Sequence, residues 1–121
     1  KSKGNVLSPI ELGDEFGMDA TRMAFIVANP PGANMSLSKD KVRAYKKFSN
    51  KLWNVARFVI SYADGADMKT RIEADTEKTY RDEFSALAQE VTDDIENYRL
   101  HLAAEKLYHY IWHRLADVII E

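Results

Sequence analysis

The sequence contains no cysteine among its 121 residues. Disulfide bonds, thiolate zinc sites and cysteine nucleophiles are therefore excluded. Proline and glycine are scarce, at three and five residues, so few positions interrupt a regular pattern. The longest apolar run, Met23–Ala28, has six residues, whereas a membrane-spanning helix needs ~20. We therefore expect no contact with a membrane.

The length and composition are those of one globular domain. Apolar residues make up 45% of the chain and charged residues 30%, a balance that argues against disorder. The chain begins at Lys1 rather than at a methionine. We therefore expect it to be a segment of a longer protein, with any targeting signal outside it.

Apolar residues recur at helical spacing along most of the chain, and no alternating pattern typical of strands competes with them. Ser8 and Ser38 are predicted N-caps, and Asp19 is a third candidate. The pattern predicts an all-α protein, an antiparallel helix bundle preceded by a loop and two short helices. The helices are expected over about 9–16, 20–28, 39–62, 76–97 and 100–121.

The net charge of −2 hides a strong asymmetry along the chain. Residues 39–57 carry seven bases and one acid, whereas residues 64–97 carry four bases and eleven acids. A basic helix is either a solvated surface or a surface that attracts nucleic acid. The acidic stretch is predicted to be a solvated face that repels RNA.

The third predicted helix separates an apolar face from a basic one at 100° per residue. Its predicted core face consists of Val42, Tyr45, Phe48, Ser49, Leu52, Trp53, Ala56, Val59 and Ile60. The opposite face carries Arg43, Lys47, Asn50, Lys51 and Asn54, with Phe58 among them. An aromatic ring among cations is typical of single-stranded RNA recognition, in which cations hold the backbone and the ring stacks on a base. The alternative is that Phe58 packs beneath a neighbouring loop or domain.

The last predicted helix carries two features outside its apolar face. Ile120 is expected near His109 and His113, where it contacts either RNA or a following helix. The two histidines have the i, i+4 spacing of paired metal ligands, but no third ligand accompanies them. No metal site is therefore predicted.

Four sequence motifs occur in one order along the chain. Residues 1–6 read K-S-K-G-N-V, residues 16–22 read F-G-M-D-A-T-R, and residues 47–59 read K-F-S-N-K-L-W-N-V-A-R-F-V. Residues 97–121 begin N-Y-R and end D-V-I-I-E. This series resembles the valyl-tRNA synthetases, class I aminoacyl-tRNA synthetases whose signature K-M-S-K-S is followed by K-G-N-V. The family's D-W-Y near the end of the segment is D-V-I here.

The resemblance implies a C-terminal piece of a valine–tRNA ligase. Residues 1–37 would then be the end of the signature loop and the stem-contact region, and residues 38–121 most of an anticodon-binding helical bundle. In the parent enzyme, Lys1 and the adjacent Ser2 would act on the phosphates of ATP, and the isolated chain would be inactive and bind no cofactor. The RNA contacts implied or supported by the helical pattern are Phe58, Lys47, Lys51, Asn54, Arg43 and Ile120.

The same resemblance sets the expected partners and location. They are the anticodon arm of the valine tRNA and the catalytic and editing domains of the same chain, in a cytoplasmic monomer. Two alternatives stay open. One is the equivalent part of a leucyl- or isoleucyl-tRNA synthetase, and the other is a helical protein-interaction module without an RNA role.

Overall fold

The computed structural model describes residues 7–27, 29–32, 37–65 and 74–120, and these ranges contain helices but no strand. The predicted all-α class is therefore confirmed. None of the described helices has both the length and the apolar character needed to cross a bilayer. The helices are α1 (Pro9–Phe16), α2 (Met18–Ile26), α3 (Lys39–Gly65), α4 (Ala74–Glu96) and α5 (Leu100–His109), and α5 continues as a π-helical segment (Tyr110–Ile119).

Side-chain capping accounts for the starts of α1 and α3. The Ser8 hydroxyl accepts a hydrogen bond from the Glu11 amide, and the Ser38 hydroxyl accepts one from the Lys41 amide. Both predicted caps are confirmed. The cap predicted at Asp19 is wrong, because α2 begins one residue after Gly17, whose φ of 93° separates it sharply from α1. That backbone conformation favours glycine. Gly17 therefore occupies the N-cap position, and Asp19 lies inside the first turn of α2.

A small apolar core joins α1, α2 and α3. Leu12 and Phe16 of α1 pack with Ala20 and Ala24 of α2 and with Val42 of α3. The alanines let the helix backbones approach closely, and the larger side chains fill the space between them. The two short helices thus pack on the long helix that follows the predicted domain boundary at residues 37 and 38. The boundary itself stays a prediction.

The direction of the long helices follows from their side-chain contacts. Glu83 of α4 pairs with Arg114, and Glu90 pairs with Lys106, so partner numbers fall as chain numbers rise. The hairpin of α4 and the last helix is therefore antiparallel, as predicted. Along α3, in contrast, the residue numbers of the contacts on the last helix rise as the α3 numbers rise, so these two helices run parallel. The contacts from α3 to the last helix are Tyr45 to Tyr108, Phe48 to Trp112 and Lys51 to Asp117.

The last helix thus packs on both α3 and α4, which do not form an extensive contact with each other. Consequently, the core predicted along the whole of α3 is confirmed at Val42 and Phe48 but is wrong farther along. Trp53 is 68% exposed, and Phe84 of α4 is 59% exposed. The last helix contacts Phe84 through the Tyr110 ring, with centroids 6.5 Å apart, but leaves most of the Phe84 side chain exposed. The other exposed apolar residues of the predicted α3 core are Leu52, Ala56, Val59 and Ile60.

A buried acid closes the turn between α4 and α5. Asp94 is only 2% exposed, although the sequence pattern predicts a solvated acidic face there. The Nε of Arg99 donates to Asp94 Oδ1 over 2.8 Å, and the Nζ of Lys106 lies 2.8 Å from Oδ2. The ammonium of Lys106 and the guanidinium of Arg99 hold the pKa of the Asp94 carboxyl below its ordinary value. Buried charges are retained in proteins where they are paired in this way.

We expect Asp94→Asn to lower the free energy of unfolding at pH 7 and to flatten its dependence on acid pH. The unfolded carboxyl takes up a proton at its ordinary pKa, about 4, before the folded one does. Stability from this pairing is therefore present above that pH and is lost as the pH falls through the folded pKa. Urea unfolding between pH 2 and 7 measures both effects.

Asp82→Asn is the matched control, because Asp82 pairs with Lys78 on the exposed surface of α4 and surface pairs contribute little. Equal losses for the two variants would contradict the role given to Asp94. Some acid dependence should persist in Asp94→Asn, because ion pairs also lower the pKa values of Glu83 and Asp117.

Candidate nucleic-acid interface

An open cleft of about 480 Å³ lies between α3 and the end of the chain's last helix. It brings together five of the six residues predicted to contact RNA, namely Phe58, Lys47, Lys51, Asn54 and Ile120. Asn50 and Val55 complete its lining. Residues spaced by three or four lie on one side of a helix, so the cleft combines lysines, amides and an aromatic ring along one strip of α3.

Arg43, the sixth predicted residue, lies apart from this cleft. Its guanidinium pairs with Asp40 and lies 5.7 Å from the centre of the Phe16 ring. The cation of Lys46 lies on the same ring at 6.0 Å. Arg43 is thus engaged where α1 packs on α3, one helical turn before the cleft begins. The sequence pattern could not distinguish the two locations, because both lie on the same basic face.

Phe58 is 56% exposed although it is a large apolar side chain. Its ring stacks on that of Tyr62, with centroids 6.2 Å apart and planes inclined by 26°. Tyr62 is itself largely exposed. The two rings form a continuous aromatic surface, and Phe58 joins it to the cleft that Lys47 and Lys51 line. Tyr62 is not among the predicted RNA contacts, although its i, i+4 spacing from Phe58 is the sequence signal for such a pair.

The π-helical segment brings Ile120 to the cleft wall. The amide of Ile120 donates to the carbonyl of Leu115, a residue five positions earlier. The predicted continuous α-helix over 100–121 is therefore wrong beyond His109. A π-helix has more residues per turn than an α-helix, so later side chains leave the helix at angles that an α-helical projection does not give.

Lys51 is held by two groups from the last helix. Its Nζ donates to Asp117 Oδ1 over 2.8 Å and lies 5.0 Å from the centre of the Trp112 ring. The Lys51 ammonium is the main cause that lowers the pKa of the Asp117 carboxyl, and His113, 3.8 Å away, adds to it. Sequence reasoning missed Asp117, because 66 positions separate it from Lys51.

The remaining site predictions concern metals and the phosphates of ATP. The rings of His109 and His113 lie 5.7 Å apart. Within the part of the chain that the structure describes, no three acidic or histidine side chains are grouped to hold a metal ion. Lys1 and Ser2, predicted to act on ATP, lie outside the described residues.

Comparison with known proteins gives the class of this segment. Residues 77–121 match the family described as the anticodon-binding domain of tRNA ligase. They comprise most of α4 and the last helix, which carries Asp117 and the cleft residue Ile120. This part of the chain is therefore similar to the anticodon-binding domains of tRNA ligases.

The particular relatives are valine–tRNA ligases, and the chain is homologous to a segment of that family over its whole length. It is 34% identical to the enzyme of Clostridium acetobutylicum, 33% to that of Solibacter usitatus and 33% to that of Thermotoga maritima. All of this chain is covered in each comparison, but only 14% of the relative. No solved structure matches the chain. The predicted resemblance is thereby confirmed.

Two phenylalanines of α3 provide a test of the exposed aromatic surface. Phe58→Ala should change the free energy of unfolding by no more than about 0.5 kcal/mol, as is usual for surface positions. Phe48 is 5% exposed and contacts Tyr108 and Trp112, so Phe48→Ala should cost roughly 3–5 kcal/mol. Chemical unfolding of both variants measures the difference. A large loss for Phe58→Ala would mean that this ring belongs to the core.

Proposed function

We propose that the chain is the part of a valine–tRNA ligase that binds the anticodon arm of the valine tRNA. The observation that carries the proposal is the cleft on α3, in which Lys47, Lys51 and Phe58 lie together. The homology to valine–tRNA ligases supports the choice of tRNA.

Each group in the cleft has a distinct part in binding a single-stranded loop. The ammonium groups of Lys47 and Lys51 attract the phosphates. The exposed faces of Phe58 and Tyr62 stack on unpaired bases, which every base permits because each has a π-face. Asn54 offers an amide that both donates to and accepts from a base edge. Ile120 forms the apolar wall opposite.

The distribution of charge restricts where RNA docks. The 39–65 range that forms α3 carries seven bases and two acids, whereas the 74–96 range that forms α4 carries two bases and eight acids. Both helices pack on the last helix rather than on each other. A polyanion is therefore attracted to the α3 surface and repelled from the surface of α4.

The activity proposed for the whole protein is the joining of valine to its tRNA with ATP as a substrate. The chain spans 14% of the length of the relatives described above, so this activity belongs to the parent enzyme. We propose that Lys1 and Ser2 contribute to the ATP site, and that catalytic and editing domains are part of the same cytoplasmic, monomeric protein. Residues 1–37 would link those domains to the bundle over 38–121.

The alternatives from the sequence differ in what supports them. The leucyl and isoleucyl enzymes are disfavoured, because the relatives compared above are valine–tRNA ligases. A protein-interaction role finds some support in the exposed Leu52, Trp53 and Ile60 of α3. These side chains are not part of the cleft lining, so a protein contact there is compatible with RNA binding at the cleft.

Binding of RNA by the 121-residue chain tests the proposal. We expect Phe58→Ala to weaken binding of the valine tRNA anticodon stem-loop by about 1–3 kcal/mol, because one stacked base is lost. Fluorescence anisotropy with a labelled stem-loop measures this change. A DNA duplex of equal charge should bind more weakly than the stem-loop and should not respond to the substitution.

Phe84→Ala is the matched control, because Phe84 is a phenylalanine of similar exposure on the acidic helix α4. Its replacement should leave RNA affinity unchanged. Equal effects of the two substitutions, or equal affinity for stem-loop and duplex, would place RNA recognition elsewhere than on this cleft.

A further inference from the structure

The two lysines of the cleft differ in their surroundings. Lys47 forms no ion pair within the described residues, whereas Lys51 is paired with Asp117. Both lie on the same strip of α3, one turn apart. A charge that already has a close counter-ion attracts a distant polyanion less than a free charge does. The electrostatic attraction of the cleft for RNA should therefore rest unevenly on the two residues.

Asp117 is fixed in this position by more than the ion pair. It lies in the π-helical segment three positions before Ile120, the residue that forms the cleft wall. Its Oδ2 faces the Nδ1 of His113 over 3.8 Å, and the Lys51 ammonium it holds lies over the Trp112 ring. The carboxylate is thus directed from the last helix to the edge of the cleft, where a backbone phosphate would approach Lys51.

We propose that Asp117 is a specificity-determining residue that acts as the built-in counter-ion of Lys51, which an RNA phosphate must displace. The proposal rests on the function proposed above. Displacement exchanges one anion for another, so it yields little net attraction and releases few of the cations that are condensed on the RNA. Binding at Lys51 then becomes favourable only when stacking on Phe58 and Tyr62 accompanies it. RNA that offers phosphates without a correctly placed loop base is disfavoured.

The competing explanation is that Asp117 only ties α3 to the last helix. The two explanations predict opposite signs. A purely structural residue, when replaced, weakens both folding and RNA binding, because the cleft loses its shape. A counter-ion, when replaced by a neutral residue of the same shape, frees Lys51 and strengthens the attraction for RNA.

The experiment compares Asp117→Asn with the unchanged 121-residue chain at one fixed pH. The probes are the valine tRNA anticodon stem-loop and an unrelated RNA hairpin of equal length, each titrated between 50 and 200 mM salt. We expect Asp117→Asn to bind both RNAs about 3- to 10-fold more tightly at 50 mM salt. The slope of log affinity against log salt should steepen by about 0.7, the value for one added phosphate contact on a single strand. Discrimination between the two RNAs should decrease.

Lysine variants test the same mechanism independently. In the presence of Asp117, Lys47→Met should reduce the salt slope more than Lys51→Met does. The gain in Asp117→Asn should vanish when Lys51→Met is added, because the freed ammonium is then absent. If Asp117→Asn does not fold, the comparison of Lys47→Met with Lys51→Met still decides the question, and equal reductions in slope would overturn the proposal.

The remaining outcomes separate this proposal from the proposed function. If the unchanged chain binds the stem-loop and Phe58→Ala weakens binding, but Asp117→Asn binds no more tightly, only the role of Asp117 is wrong. If the unchanged chain binds neither RNA, both proposals are wrong.

Discussion

The aromatic contact between α3 and the last helix is the interaction on which the rest of the arrangement depends. Phe48 packs against Tyr108 and Trp112, with ring centroids 4.7 and 6.1 Å apart. Because the two helices run parallel at this contact, each further turn of α3 meets a further turn of the last helix. Lys51 consequently meets Asp117, and the turn that ends in Phe58 meets Ile120. The cleft is thus fixed by a buried contact ten residues before its aromatic end.

The packing of the last helix on α3 also keeps the basic helix α3 apart from the acidic helix α4. Since α3 and α4 both pack on the last helix, that helix must present one side to a basic helix and another to an acidic one. Asp117 of the last helix faces Lys51 of α3, and Arg114 faces Glu83 of α4. The two carboxylate oxygens of Glu83 each accept a hydrogen bond of 2.7 Å from Arg114. Opposite charges on one helix thereby position its two neighbours. On α3, Lys39 pairs with Glu15 and Arg43 pairs with Asp40, whereas in the cleft Lys51 pairs with Asp117 and Lys47 forms no ion pair within the described residues.

Sequence reasoning succeeded where the determinants are local. The helix starts at Ser8 and Ser38 follow from capping chemistry, and the strip of Lys47, Asn54 and Phe58 follows from helical geometry alone. It failed where a side chain's surroundings are set by distant residues. The burial of Asp94 requires Lys106, twelve positions away on the next helix, to converge on it together with Arg99 from the turn. The exposure of Trp53 depends on which helices pack together. An apolar pattern identifies the apolar face of a helix but does not show which other helix covers it.

The π-helical segment links the fold to the candidate site. Segments of this kind are rare and occur often at functional sites, because i→i+5 hydrogen bonding redirects the side chains that follow. Here the segment begins after His109, beyond the Tyr108 contact with Phe48, and carries Trp112, Asp117 and, at its end, Ile120. These three groups hold Lys51 or line the cleft. In a regular α-helix the same side chains would project at other angles. The π-helical geometry therefore determines which residues of the last helix reach Lys51 and the cleft.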